Sequence, residues 1–267
     1  MVDPRVDTKA AEAYESALVP GIFGPWAQAV VASARIEPGM CVLDLACGTG
    51  VAAKYAASLC SPKGRVIGID IDSGMVEIAR TSALNMNVAA EFRCASAENL
   101  PIDSASIDVA LCLQGLQFFP DRSKAFSELH RVLKKGGTLF ATTWSAIESC
   151  KGYWAMVNAL EARGIDAAPA RKPFSLSDSL ALREHAERAG FLNVTARTEQ
   201  RLADFSSARA FVDAIAQGAP SSRHALAKVT AEEWPVYLAE VDASLAQWRS
   251  GTRVQFPMVS NVLRATR

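Results

Sequence analysis

Short apolar runs alternate, along the first half of the chain, with stretches whose apolar positions recur at helical spacing. Val42–Ala46, Arg65–Ile71, Val88–Cys94, Ile107–Leu113 and Thr138–Trp144 read as strands, the second rich in β-branched residues. Residues 51–59 read as a helix, and Asp72 or Ser73 caps another reaching about Ala83. Asp121 caps a third, over 121–135, in which Ala125, Phe126, Leu129, Val132 and Leu133 share one face and Gly136-Gly137 ends the run. Before the first strand, residues 9–34 carry a helical pattern broken around Pro20-Gly21, with Phe23, Trp26, Val30 and Val31 on one face. Pro38-Gly39 and Ser61–Gly64 are turn signals.

Strands alternating with helices predict an α/β fold, a parallel sheet covered on both faces. In such sheets ligands bind beyond the carboxyl ends of the strands. The glycine loop after the first strand, Asp70, the 95–99 loop and the 114–119 segment all fall at those ends. The C-terminal half changes character. Helical patterns cover about 152–163 and 178–189, Phe191–Phe205 and Val254–Thr266 read as long strands, and a helical insertion lies between them at about 206–250. Thr230 and Glu233 form a capping-box pattern at the start of its last helix. Trp234, Leu238, Val241, Leu245 and Trp248 then recur at helical spacing, which suits either core packing or the wall of a pocket.

The 267 residues, half of them hydrophobic, suffice for a full core. Twenty-eight basic and 28 acidic residues balance to zero, so no global charge points to nucleic acid or an anionic membrane. No apolar run approaches the ~20 residues that span a bilayer. The charged opening, MVDPRVDTKAAEAYES, is not a signal peptide, so a cytoplasmic location is expected. The six cysteines form no C-x-x-C pair and read as buried free thiols, with no disulfide frame and no metal site.

The chemistry concentrates at Val42–Gly50. Gly48-Thr49-Gly50-Val51-Ala52-Ala53 satisfies G-x-G-x-x-A, which suits dinucleotides as well as other cofactors. Asp70, 20 residues after Gly50, can bond ribose hydroxyls in either class and opposes a 2′-phosphate. Asp44 separates the two, because a carboxylate inside an apolar strand needs a cationic or well-bonded partner. The α-ammonium group of S-adenosylmethionine would supply one.

With these residues in view, the chain resembles class I S-adenosylmethionine-dependent methyltransferases. The resemblance rests on V-L-D-L-A-C-G-T-G (42–50), G-I-D-I-D-S-G-M-V-E-I-A-R (68–80), A-S-A-E-N-L-P-I (95–102), S-I-D-V-A-L-C-L-Q-G-L-Q-F-F-P-D-R (106–122) and E-L-H-R-V-L-K-K-G-G (128–137), covering about 40–145 in order. A-Y-E-S-A-L-V-P-G-I-F-G-P-W-A (13–27) and R-V-Q-F-P-M (253–258) are similar to a subgroup related to ubiquinone/menaquinone-type, methyltransferase type 11-like enzymes. The resemblance implies a Rossmann-like, doubly wound, mostly parallel seven-stranded sheet, with an antiparallel strand near the C-terminus and a helical lid insertion. It implies a single domain over 1–267. Within it, 1–37 would be a helical segment over the cofactor pocket and 38–145 the cofactor-binding core. Residues 146–267 would complete the sheet and carry the substrate lid at about 206–250.

Residue by residue, the resemblance implies that Asp44 and Ala46 face the methionine amino group and that Gly48 and Gly50 shape the loop beneath the cofactor. Asp70 would hold the ribose, Ile71 and Met75 sandwich the adenine, the Ala97 amide meet an adenine nitrogen, and Gln114 border the methionine–ribose region. Ser96 stands where the family commonly has Asp; its hydroxyl can accept from the adenine amine, without charge assistance. Glu98 either takes over that bond or is a solvent-facing loop charge. Tyr14 and Phe23 are either packing residues or part of the cover over the cofactor. Gln117, Phe118, Phe119, Trp144 and Trp154 are candidates for the acceptor side, core packing being the alternative. His130 and His185 read as structural, and His224 is the one histidine to test as a base. The expected reaction is methyl transfer by in-line displacement to a small or medium organic acceptor, with no catalytic residue assigned. A cofactor-binding protein without methylation and an NAD-dependent oxidoreductase are the rivals.

Overall fold

The computed structural model describes residues 6–86 and 88–267. Residues 1–5, the start of the charged opening stretch, and Asn87 lie outside it. Eight strands form one continuous sheet: β1 (Cys41–Leu45), β2 (Arg65–Asp70), β3 (Ala90–Cys94), β4 (Ile107–Leu113), β5 (Leu133–Trp144), β6 (Leu192–Phe205), β7 (Arg249–Ser250) and β8 (Arg253–Thr266). Their order is β3-β2-β1-β4-β5-β8-β6, with β7 paired to β8. The pairs from β3 through β5 are parallel, and β8 runs antiparallel to both β5 and β6. The mostly parallel sheet with an antiparallel strand near the C-terminus is therefore present, with eight strands where seven were expected. The eighth is a two-residue return, Arg249–Ser250, which folds onto Val254 and Arg253 through Gly251 at φ +61°.

Strand order reverses at β1, which lies between β2 and β4, so the crevice beyond its carboxyl end is the topological switch point. α2 (Gly24–Ser33), α3 (Val51–Cys60) and α4 (Ser73–Asn85) contribute to the core on one face, around Val30, Ala53 and Val76. α5 (Arg122–Val132) and, from the C-terminal half, α8 (Ser179–Arg188) cover the other, around Phe126 and Leu182. A further core joins the N-terminal helix to α6 (Lys151–Glu161), α9 (Ala208–Gly218), α11 (Trp234–Ser244) and β8, around Trp26, Tyr153, Phe211 and Phe256.

Several sequence expectations are corrected. The N-terminal helix does not break at Pro20-Gly21. α1 (Lys9–Ala13) passes into a π-helical stretch, Tyr14–Phe23, and on into α2. The wider winding absorbs Pro20, which an α-helix interior tolerates poorly. α5 stops at Val132 instead of 135, and Gly136-Gly137 lie inside β5. Leu133 pairs with Ile107 across a register shift, and Gly136, at φ +80°, donates its amide to the Arg267 carbonyl. Val132 and Leu133 fit the helical apolar face, but Leu133 buries itself as the first strand residue. The third strand begins at Ala90, two residues late. Cys94 is exposed; Cys47, Cys60, Cys112 and Cys150 are buried.

The insertion carries α9, α10 (Pro220–Leu226) and α11. The capping box forms before α11, where Glu233 N donates to Thr230 Oγ1 at 3.2 Å and Thr230 N to Glu233 Oε2 at 3.1 Å. Of the helical stripe, Val241 and Leu245 are fully buried and Trp234, Leu238 and Trp248 pack on the same core, so the stripe is packing. Among the described residues no helix is long and apolar enough to cross a membrane, and no three His, Cys, Asp or Glu side chains are grouped to hold a metal.

Candidate active site

A cavity of about 740 Å³ opens at the switch point, beyond the carboxyl ends of β1, β2 and β4. That is ample for a nucleotide-sized ligand together with a second small molecule. Its floor is the turn from β1 into α3. Gly48 and Gly50 both take left-handed backbone, φ +53° and +81°, and Gly50 caps α3. A Cβ on Gly50 would lie 2.8 Å from the Phe92 ring, so the loop closes only on a glycine. A Cβ on Gly48 would meet nothing nearer than Tyr14 Cε1 at 3.8 Å, so the left-handed angle, not space, favours glycine there.

Two carboxylates frame this loop. Asp44, inside β1 and 1% exposed, accepts one hydrogen bond, from Ala53 N at 2.8 Å. Burial pushes its carboxyl up to about 7; the Ala53 bond works against that and the nearby Asp70 adds to it. Asp70 ends β2. Its Oδ2 accepts from Gly48 N at 2.8 Å and its Oδ1 from Asp72 N at 3.0 Å, while burial raises its carboxyl above the usual range. Neither acid has a cationic side chain bonded to it among the described residues.

Strain collects at the same place. Ala46 and Gln114, just past β1 and β4, both have positive φ, +56° and +55°. Non-glycine residues hold that conformation at a cost and only where their surroundings enforce it. Gly115 makes room for it: a Cβ there would lie 2.5 Å from the Ala46 Cβ. Gln114 is locked further, since its Nε2 donates to Ser260 Oγ at 2.9 Å and its Oε1 accepts from Gln117 Nε2 at 3.2 Å.

Of the residues singled out from sequence, Tyr14, Phe23, Ala46, Gly48, Asp70, Ile71, Met75, Ser96, Ala97, Gln114, Phe118, Trp144 and His224 line the cavity. Ile71 is 75% exposed, an apolar side chain standing in the open mouth, and Met75 is buried in the same lining. Asp44 and Gly50 lie beneath the lining. Ser96 Oγ accepts from Glu98 N at 3.2 Å. Glu98 lines the cavity, but its Oε1 holds Asp121 N at 2.9 Å ahead of α5, so it is neither a free ligand group nor a simple solvent charge.

Gln117 and Trp154 are not brought to the cavity. Gln117 is buried behind Gln114 with its Oε1 unpartnered. Trp154 packs on the C-terminal core under Arg171, 5.7 Å from its ring centroid. Its neighbour Tyr153 reaches the cavity instead. Helical neighbours differ by about 100° in direction, and the apolar pattern of α6 does not say which one faces the ligand. Leu18, Pro169, Lys172 and Pro173 also line the cavity and carry no local sequence signal. His130 and His185 pack against Phe191 and Phe126, away from it.

The N-terminal helix forms one side of the cavity through Tyr14, Leu18 and Phe23. Tyr14 stacks on Phe23 with ring centroids 4.9 Å apart, and Phe23 leans on Trp144 at 6.1 Å. Burial holds the Tyr14 phenol far above its ordinary range, with Tyr153, Asp70 and Asp44 adding to the effect. One residue on, Glu15 Oε1 pairs with Lys54 Nζ of α3 at 2.7 Å, and Lys54 also donates to Ser82 Oγ of α4 at 2.9 Å.

Residues 43–141 match the family model described as a methyltransferase domain. Over 132 residues the chain is 33% identical to a ubiquinone/menaquinone biosynthesis C-methyltransferase UbiE of Ralstonia pickettii, covering 48% of this chain and 54% of the relative. The chain thus spans about half the length of the curated relatives it matches. The YcgJ protein of Bacillus subtilis superposes with a TM-score of 0.59 at 18% identity, over 91% of this chain and 98% of that one. A Haemonchus contortus phosphoethanolamine N-methyltransferase 2 solved with S-adenosyl-L-methionine superposes at 0.61 and 18% identity, over 96% of this chain and 56% of that one. These structures share the fold.

Proposed function

We propose, from the match of residues 43–141 to the methyltransferase-domain family model, that this chain transfers a methyl group from S-adenosylmethionine to a small or medium organic acceptor. The observation that carries this reading is the pair of buried carboxylates, Asp44 and Asp70, set on either side of a left-handed glycine loop and bonded to no cationic side chain among the described residues. A cavity with two such acids fits a ligand that brings its own positive charge and hydroxyl donors. A dinucleotide would bring anionic phosphates toward the same acids, which disfavours the oxidoreductase reading.

Asp44 would take the ammonium of the methionine moiety, directly or through water. Asp70 would accept from the ribose, and Ile71 and Met75 would bracket the adenine, with Ser96 and Ala97 at its edge. S-adenosylmethionine, when bound, supplies an electrophilic methyl on a sulfonium sulfur. The protein's contribution is then alignment and exclusion of water. Phe23, Trp144, Phe118 and Tyr153 wall the remaining space, where an acceptor would lie in line with that methyl. The N-terminal helix and the segment around α10 would act as its cover. No side chain is assigned as a base. The even charge balance and the apolar walls support a small-molecule acceptor over nucleic acid.

The test has two parts. Calorimetric titration with S-adenosylhomocysteine reads the cofactor site, and NAD in parallel should give no heat. Incubation with methyl-labelled S-adenosylmethionine and a panel of phenols, amines, thiols and activated carbon acids reads the transfer. Tight cofactor binding with no label transferred to any acceptor would favour a cofactor-binding protein without methylation.

A further inference from the structure

The cavity is segregated by charge. Its acidic lining residues, Asp70, Asp72 and Glu98, all follow β2 or β3 at the end assigned above to the cofactor. At the other end the walls are apolar, and the basic side chains Lys172 and His224 stand at the mouth. Lys172, like most lysines of the chain, has no ion pair or side-chain hydrogen bond among the described residues, so its ammonium is available to a ligand at the mouth. It heads the short turn Lys172–Phe174, whose Phe174 ring meets the Tyr153 ring edge-on at 5.3 Å. α7 (Ala168–Arg171), which leads into that turn, packs against α10, the helix that carries His224.

Tyr153 is the second, independent observation. It is 3% exposed, it lines the cavity, and its hydroxyl has no hydrogen-bond partner among the described residues. Burial pushes its phenol far above the ordinary range, so the hydroxyl keeps its proton and is a donor. A hydroxyl that faces the cavity and spends its proton on no described residue is available to a ligand there. Lys172 and Tyr153 both line the acceptor space, one a point cation at the rim and the other a neutral donor on the wall.

We propose that the acceptor is an apolar, ring-sized molecule carrying an anionic substituent such as a carboxylate, held by Lys172 and Tyr153. Its body rests on the aromatic wall of Phe23, Trp144 and Phe118. This rests on the methyl-transfer reading for the identity of the ligand as acceptor. The anion lies at the end opposite Asp44 and Asp70, so the two bound molecules satisfy opposite charges at opposite ends of one cavity. A neutral acceptor of the same shape would leave Lys172 unpaired and lose that contribution.

The experiment uses the full chain saturated with S-adenosylhomocysteine and two isosteric probes, 1-naphthoate and 1-naphthamide, titrated calorimetrically at low salt. Naphthoate is expected to bind roughly fivefold more tightly than the amide, the size of effect a rim charge pair supports. Lys172→Ala should bring the ratio to near one with naphthamide affinity unchanged, and Lys172→Arg should preserve it. Tyr153→Phe should weaken both probes, about threefold, since it removes a donor to either substituent. Equal affinities in the parent protein, no naphthoate binding, or a preference that survives Lys172→Ala overturns the proposal. S-adenosylhomocysteine affinity is read separately in each protein. Its loss in the parent sinks the methyl-transfer reading, whereas its retention beside absent probe selectivity sinks only the anionic-acceptor inference.

Discussion

The Gly48 amide donates to Asp70 Oδ2 at 2.8 Å, so the acid that ends β2 also holds the loop that follows β1. A cofactor-binding acid is thereby a structural one. Asp70→Ala would leave the Gly48 amide without its acceptor and should cost about 1–3 kcal/mol of stability as well as affinity. Asp70→Asn keeps an oxygen for Gly48 and removes the charge, at the expense of the exposed bond from Asp72 N, which its NH2 cannot accept. Its melting temperature should stay within a few degrees of the parent's, while S-adenosylhomocysteine affinity falls roughly tenfold or more. Parent-like affinity for the Asn variant by calorimetry would remove Asp70 from the ribose site.

Asp44 imposes a pH dependence of definite sign. Its carboxyl is raised in the folded protein to about 7, from an ordinary value near 3.8. The folded state therefore binds the proton more tightly than the unfolded one. Stability from this group is complete below pH 4 and is lost as pH rises through 7. The loss amounts to about 4 kcal/mol if no cation is bound. Asp44→Asn keeps an acceptor for Ala53 and should raise the melting temperature at pH 7.5 while weakening cofactor binding. An ammonium beside Asp44 reverses the shift, so cofactor binding near pH 6 should release a proton. Calorimetry in buffers of different ionisation enthalpy measures that release; no proton linkage would mean the ammonium lies elsewhere.

Ala46 and Gly115 form a coupled pair. Gly115→Ala would drive a methyl to within 2.5 Å of the Ala46 Cβ, at a cost of about 1–3 kcal/mol. Ala46→Gly vacates that space and relieves a left-handed backbone of about 1 kcal/mol of strain. The double variant should recover most of the stability lost by Gly115→Ala. Additive losses in urea denaturation would show that the contact with Cys112 Sγ at 3.0 Å decides the cost instead.

What the sequence made legible was whatever local pattern controls. The five parallel strands, the glycine loop, Asp44 and Asp70 are each announced by apolar runs and by acids out of place within or beside them. The errors fall where two structures share one pattern. Val132-Leu133 extends a helical face or opens a strand equally well, and only the partner Ile107 decides. The Pro20-Gly21 signal reads as a break, but the π-helical winding over Tyr14–Phe23 carries the helix through it, with Gly21 lying against Phe205 from a strand far along the chain. Trp154 is an acceptor-side candidate by sequence, and helical phase sends it into the core while its neighbour Tyr153 faces the cavity. Lys172 and Pro169 reach the cavity through tertiary packing, for which adjacent sequence offers no sign.

Glu15 and Lys54 fasten the N-terminal helix over the cavity. The Lys54 side chain is 8% exposed and bonds both Glu15 of that helix and Ser82 of α4. Glu15 is partly exposed, yet its Oε2 is buried without a partner. Removing one partner of such a pair strands the other charge, which costs 3–5 kcal/mol in a fully buried pair and about 1–3 kcal/mol here, given the partial exposure. Lys54→Met should therefore destabilise more than Glu15→Gln, which retains an acceptor for the lysine. The structural consequence falls on Tyr14, the next residue, which covers Gly48. Lys54→Met should loosen that cover, speed S-adenosylhomocysteine dissociation several-fold, and expose residues 13–23 to proteolysis without cofactor. Stopped-flow displacement and limited proteolysis measure the two effects. A dissociation rate that stays at the parent value while the protein is destabilised would confine the pair to a packing role and leave the N-terminal helix a fixed wall.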